Sequence, residues 1–150
     1  MAKERLKALR YLTGIHALNI ECDLLTCGDW HQSALKWENL MIRESDDSVY
    51  KEWGIEHGRT IPKHEEKYST ANHIRALLDL LEEGNYAEAQ GMKEDFICND
   101  DYNEIVFEKV AMLQGMKNWD LIDAFMGREY KMEWVRYKQG GHIERLAKKP

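Results

Sequence analysis

The sequence predicts an α+β fold, with a small three-stranded antiparallel sheet in the N-terminal half packed against a helical C-terminal half of about four helices. Three observations predict it. Apolar residues alternate with period two in several stretches before His57, and the period becomes helical from Tyr68 onward. Strand-like and helix-like segments do not alternate in the βαβ manner of a doubly wound sheet.

The clearest element is Tyr68–Tyr86, YSTANHIRALLDLLEEGNY. Ser69 or Thr70 supplies a hydroxyl N-cap, and Ile74, Leu77, Leu78 and Leu81 follow at i, i+3, i+4 and i+7. Gly84 stands where a left-handed residue ends a helix. This helix is expected to lie at the centre of the domain, with Asn72, His73 and Arg75 in its first turn.

Upstream, residues 2–9 have helix-favouring composition in a short, mobile end. From Tyr11 to Glu21 apolar residues occupy both alternating faces, which predicts a strand covered on each side. CDLLTCGDWHQ is a connection with Gly28 and Asp29 as turn residues. Ser33–Arg43 reads as a second strand, although SALKWENLMIR also fits a short helix. Val49–Ile55 alternates again and pairs with it as a hairpin across the polar ESDDS turn. His57–Lys67 is the longest irregular stretch.

Downstream, Asn85 caps a second helix through Met92, reaching Phe96, and Asn99 or Asp100 a third, with Ile105, Val106, Val110 and Leu113 mostly on one side. Asn118 caps the last and longest helix, with Leu121, Ile122, Phe125, Met126, Tyr130 and Trp134 as its stripe. Gly127 weakens it by about 1 kcal/mol relative to Ala. Gly140 and Gly141 stop it, and residues 141–150 are expected to be mobile, within one domain spanning 1–150.

The totals bound the function. A 150-residue chain that is 43% apolar, with five tryptophans and two prolines, has the means to build a core. No apolar run approaches the ~18 residues of a membrane span, and MAKERLKALRYL lacks the h-region of a secretory signal. Cys22, Cys27 and Cys98 are odd in number, which suits a reducing cytosol better than a disulfide framework, with a Cys22–Cys27 bridge as the lesser alternative. The net charge of −6 is uneven: residues 51–100 carry eleven acidic and six basic side chains. That acidic middle argues against nucleic acid as a partner, because duplex binding needs a basic face. Basic residues at the ends read as solvated tails.

Reactive residues are densest in Glu21–His31. Cys22, Cys27 and His31, with His16, Asp23 or Asp29, are the donor types of a zinc site. The C-x4-C-x3-H spacing is not the tight knuckle that pre-forms one, and buried cysteines beside a strand are the plainer reading. In an extended segment Asp29 and His31 point the same way, with Ser33 beyond, the residue types of a general-base site. The plainer reading is a turn aspartate and a half-exposed histidine. His57, His64 and His73, with Glu56, Glu65 and Glu66, could ligate a transition metal, but no H-E-x-x-H or similar spacing supports it. Candidate catalytic residues are therefore Asp29, His31 and His73. No nucleotide, dinucleotide or hydrolase fingerprint is present, and no cofactor or metal is expected.

The aromatic residues exceed what a core of this size requires. Trp and Tyr suit interfaces because they bury large area at low entropic cost. Tyr50 and Trp53 on a supposed edge strand, with Trp134 and Tyr137 on the last helix, are the candidate interface. The expected function is a cytoplasmic interaction or regulatory module, in the manner of an antitoxin, inhibitor or accessory subunit, binding a protein partner or a second copy of itself. The alternative is a small hydrolase, with or without a metal, working from Asp29 and His31.

Overall fold

Residues 8–29 and 36–140 are described by a computed structural model, which is α+β with a four-stranded mixed sheet. Strands β1 (Arg10–Leu12), β2 (Ile42–Glu44), β3 (Ile55–Arg59) and β4 (Tyr68–Ala71) lie in the order β2-β1-β4-β3. β1 pairs antiparallel with β2, Tyr11 opposite Arg43, and parallel with β4, Leu12 opposite Thr70. β3 pairs antiparallel with β4 through an irregularity between Glu56 and Arg59. The expected three-stranded antiparallel sheet is thus corrected in strand number and pairing.

Side chains of β1 alternate between two cores, as period two demands. Tyr11 enters the main cluster, whereas Leu12 packs with Ile20, Trp37 and Ile61 on the other side. Burial on both faces is legible in the sequence, but the strand ends at Leu12. Gly14–Leu18 forms a short helix, α1, entered through Gly14 at φ +62°, and four of its five residues are buried. A segment covered nearly all round has no one-sided stripe, so its period does not separate strand from helix.

The second and third expected strands shift for a different reason. Residues 33–35 lie outside the described residues, and those from 36 to 41 form turns and bends ahead of β2. Val49–Gly54 is a series of turns, and its carbonyls do not serve a hairpin. Arg75 takes two of them, Lys51 O at 2.8 Å and Trp53 O, through one guanidinium nitrogen.

The central helix, α2 (His73–Glu82), begins later than expected because Tyr68–Ala71 belongs to the sheet. Asn72, not Ser69 or Thr70, caps it, its Oδ1 accepting from Arg75 N at 2.8 Å. Gly84 ends it at φ +85°, as expected. All residues from His73 to Leu81 are buried, including Arg75 and Asp79.

Those two charges are tolerated because each is fully hydrogen-bonded. Arg75 Nε donates to Asp79 Oδ1 at 2.9 Å, one turn away, and Arg75 Nη2 donates to Tyr11 Oη at 2.8 Å. Tyr11 Oη and Thr13 Oγ1 donate to Asp79 Oδ2 at 2.6 and 2.7 Å, and Arg43 Nη1 to Asp79 Oδ1 at 2.7 Å. Burial and the Asp79 carboxylate push the Tyr11 phenol above its usual range, so it remains a donor. The Arg75 guanidinium also lies 4.9 Å from the centre of the Tyr11 ring.

The helical half packs on the far side of α2. Helix α3 (Tyr86–Ala89) leads into a π-helix, Met92–Ile97, and then α4 (Asn103–Ala111). The expected single last helix is two, α5 (Trp119–Tyr130) and α6 (Met132–Gln139), broken at Lys131 with φ +56°, not at Gly127. Phe107, Phe125, Met126, Tyr130 and Trp134 close this part of the core. Residues 1–7, which hold most of the basic N-terminal stretch, and the tail from 141 to 150 lie outside the described residues. Among those described, no helix is long and apolar enough to cross a membrane.

Removing the carboxylate from the buried pair strands a guanidinium in the core. Asp79→Ala is expected to cost about 3–5 kcal/mol, whereas Glu83→Ala, at a half-exposed partner of Arg43, should cost under ~1 kcal/mol. Urea unfolding of the two variants beside the parent protein measures the difference.

Candidate functional site

A second polar cluster forms where α2 meets the connection after α1. Ile20–Asp29 runs back over the first turn of α2, held by two backbone bonds: Asp29 N to Leu18 O and Gly28 N to Phe96 O, both 2.8 Å. Gly28, at φ +67°, is pressed so close that a Cβ there would stand 2.6 Å from His73 Cε1 and from Leu18 O. Only glycine fits both the backbone angle and the space.

Under this loop lie Cys22, Thr26 and His73, with Cys22 and His73 buried. His73 Nε2 faces the Ile20 carbonyl at 2.8 Å, so that nitrogen carries a proton. His73 Nδ1 lies 2.5 Å from Thr26 Oγ1, which is itself 3.5 Å from Cys22 Sγ. In the neutral state the order is S–H to hydroxyl to Nδ1, a line along which the thiol proton can pass to the imidazole. Burial by itself would raise the Cys22 thiol, but the neighbouring His73 imidazole and the Thr26 hydroxyl outweigh it and bring it down to about 7. Burial would likewise depress His73, yet the Cys22 sulfur, the Ile20 carbonyl and Glu56 push it above its ordinary value. The thiol is thus drawn down and the imidazole drawn up by the same contact.

Beside this pair the chain carries a disulfide. Cys27 is bonded to Cys98 at the end of the π-helix, with Cα atoms 5.9 Å apart, and both residues are exposed. Cys22 is the free cysteine. The reading of the cysteines is corrected here: one bridge is present, and it joins Cys27 to Cys98 and not Cys22 to Cys27. The zinc set of Cys22, Cys27 and His31 falls with it, because a disulfide sulfur is not a thiolate donor.

The candidate catalytic residues are thus only partly placed. His73 lies in the cluster, with both ring nitrogens engaged. Asp29 is half-buried at the end of the loop. His31, together with Trp30 and Ser33, lies outside the described residues. The other histidines disperse. His16 is buried between Lys36 O at 3.0 Å and Met41 N at 3.3 Å, His57 meets Ser69 Oγ at 2.9 Å, and His64 bridges Trp37 O and Tyr68 Oη. Glu56 turns to Arg59 and to Asp23 N. Among the described residues, no group of three or more His, Cys, Asp or Glu side chains is arranged to hold a metal.

The four candidate interface aromatics divide as well. Tyr50 and Trp134 are 4% and 0% exposed, with Tyr50 Oη donating to Lys109 O at 2.7 Å and Trp134 Nε1 to Asp123 Oδ1 at 2.8 Å. Trp53 is half-buried beneath the Lys109 ammonium, 4.5 Å from its ring centre. Tyr137 is half-buried and stacks on Trp134 with ring centres 5.7 Å apart. Within the chain these rings fill and edge the core. Among the described residues, the large apolar side chains that face solvent are Leu25, Val49, Met112, Leu121 and Met132, none of them aromatic. Thr26 is equally unmarked, since a lone threonine in a turn has no chemistry until the fold places it between a thiol and an imidazole.

No protein-family model matches the chain, and neither a curated protein nor a solved structure shows significant similarity to it.

The hydrogen-bond line sets a measurable property. With Cys27 and Cys98 replaced by serine, so that Cys22 is the sole thiol, ultraviolet thiolate absorbance should titrate with a midpoint of about 7. Thr26→Val and His73→Gln remove stabilising partners and leave the burial in place, so each should move the midpoint upward. An unmoved midpoint in His73→Gln would show that the imidazole does not hold the thiolate.

Proposed function

We propose that this protein is an interaction module of regulatory kind, an antitoxin-, inhibitor- or accessory-subunit-like chain that docks a protein partner or a second copy of itself. The observation that carries this reading is the outer face of α5. Leu121 is 58% exposed there, and Ala124 and Arg128, three and seven residues on, are exposed on the same side. One turn beyond Leu121 a shallow groove of about 230 Å³ begins between α3 and α5, lined by Tyr86, Ala87, Gln90, Phe125, Arg128 and Glu129.

A solitary exposed leucine is ordinary on a protein surface. One set beside a groove with two aromatic walls is the form in which helices and extended peptides are received, an apolar anchor flanked by polar rim groups. Met112 and Met132, 48% and 55% exposed, add flexible apolar contacts to the same helical half. The acidic balance of residues 51–100 favours a partner with a basic rim. The docking surface is therefore moved from Tyr50, Trp53, Trp134 and Tyr137 to α5 and its groove. The hydrolytic alternative around Asp29 and His31 is not adopted, because the imidazole that the fold brings to that loop, His73, is bonded to Thr26 and Ile20.

Leu121→Glu together with Arg128→Glu should leave the circular dichroism and melting temperature unchanged, since both side chains are exposed. The double variant should lose self-association in light scattering, or lose a stoichiometric partner that the parent retains from its native lysate. A parent protein that stays monomeric, with no partner the variant fails to hold, would remove this reading.

A further inference from the structure

Between the π-helix and the break that separates α5 from α6 lies a cleft of about 300 Å³, lined by Lys93 and Glu94 on one side and by residues 129–133 on the other. Two left-handed residues shape it: Gly91, at φ +99°, opens the π-helix, and Lys131, at φ +56°, turns the chain between the two helices. Glu129 ties the sides together, its carboxylate accepting from Gly91 N at 3.1 Å and Lys93 N at 3.3 Å. The same residue lines the groove between α3 and α5, so the cleft adjoins the docking surface through a shared wall.

In the wall of the cleft stands a hydroxyl that no described residue satisfies. Tyr130 is 2% exposed, its ring meets Phe107 edge-on with centres 5.0 Å apart, and its Oη has no hydrogen-bond partner among the described residues. A buried hydroxyl in that state weakens a fold, and a phenylalanine would fill the space without the penalty. The charges nearby are unbalanced too. Lys93 is engaged by Glu94 at 3.3 Å and Asp100 at 3.4 Å, and the Lys131 ammonium donates to Arg128 O at 3.0 Å. Among the described residues no cation pairs with Glu133, whose carboxylate accepts from Asn103 Nδ2 at 3.3 Å. Its place in the first turn of α6 favours the ionised form. Burial, and then Glu129, Glu133 and Asp100, push the Tyr130 phenol above its ordinary range, so the field at this hydroxyl is negative.

We propose that this cleft receives a primary ammonium or guanidinium group, the end of a lysine or arginine side chain of the docked partner, with Tyr130 Oη and the Glu133 carboxylate as its acceptors. What stands uncommitted here is a neutral oxygen and an anionic one, which suit an N–H donor and repel an anion. Met132, 55% exposed, supplies a polarizable wall for the methylene stem that such side chains lay along apolar surface. A metal ion fits less well, since no three carboxylate, imidazole or thiol side chains among the described residues are placed to ligate one. That the cation arrives on a partner rests on the docking reading; the preference of the cleft for a cation does not.

Butylamine and agmatine stand in for the two side chains, titrated into the isotope-labelled full chain at constant ionic strength. The amide signals of Lys131, Met132 and Glu133 should move saturably, with a dissociation constant on the order of 1 mM, the strength so small a ligand reaches. Butanol and sodium sulfate, the neutral and anionic controls, should give no saturable shift. Tyr130→Phe should weaken both amines by about fivefold or more, and should raise the melting temperature of the ligand-free protein by removing an unsatisfied hydroxyl. Glu133→Gln should weaken them similarly. Leu121→Glu, which disrupts the docking face, should leave amine binding unchanged, so the two readings fail separately. At saturation either amine should weaken docking of the partner or of the second copy; binding without that competition would overturn the partner as the source of the cation. The absence of a saturable shift, equal binding of butanol or sulfate, undiminished binding in Tyr130→Phe or Glu133→Gln, or a lower melting temperature in Tyr130→Phe would overturn the site itself.

Discussion

The buried ion pair between Arg75 and Asp79 is the constraint on which the rest of this fold depends. A helix covered on every side has no solvent to receive its polar residues, so each must find its partner inside the protein. Arg75 and Asp79 do so by drawing in three separate segments: Tyr11 and Thr13 at and just beyond β1, Arg43 from β2, and the Lys51 and Trp53 carbonyls from the turns before β3. The sheet is thereby tied to α2 by directional bonds as well as by leucines. Such a network favours one arrangement over others of similar hydrophobic burial, since a shifted register would leave a charge unpaired.

The same helix explains how much is legible in the sequence. Its apolar stripe and Gly84 are local signals, and they locate it. Its partners are not local. Val49–Gly54 alternates like a strand, yet its carbonyls answer to Arg75, and nothing within those residues records that. β1 reads correctly as covered on both faces, but its parallel neighbour β4 comes after three other elements and reads in sequence as the start of the helix. The break at Lys131 rests on one positive φ in a run of good helix formers, where propensity points the other way.

The candidate site is legible in halves. Glu21–His31 and His73 are both marked by residue type, and their meeting requires α1, β1 and the start of α2 to be in place. Thr26 carries no mark at all. Parity arguments from cysteine count mislead for a simple reason: three sulfurs are consistent with one bridge and one thiol as readily as with three thiols. Aromatic content misleads about the surface, because large rings serve a core and an interface equally well, and here Phe107, Tyr130, Trp134 and Tyr137 pack on one another.

The Cys27–Cys98 bond also sets the covalent topology of the chain. It spans 71 residues, and β2, β3, β4, α2 and α3 all lie between its ends. Most of the sheet and the central helix therefore belong to a closed ring, with β1 and α1 on the chain before it and α4, α5 and α6 on the chain after it. A ring of that span restricts the unfolded chain by about 4 kcal/mol in the loop-entropy account. Unfolded without reduction, this protein is therefore a ring with an arm at each side of one sulfur–sulfur bond, and reduction turns it into a linear strand.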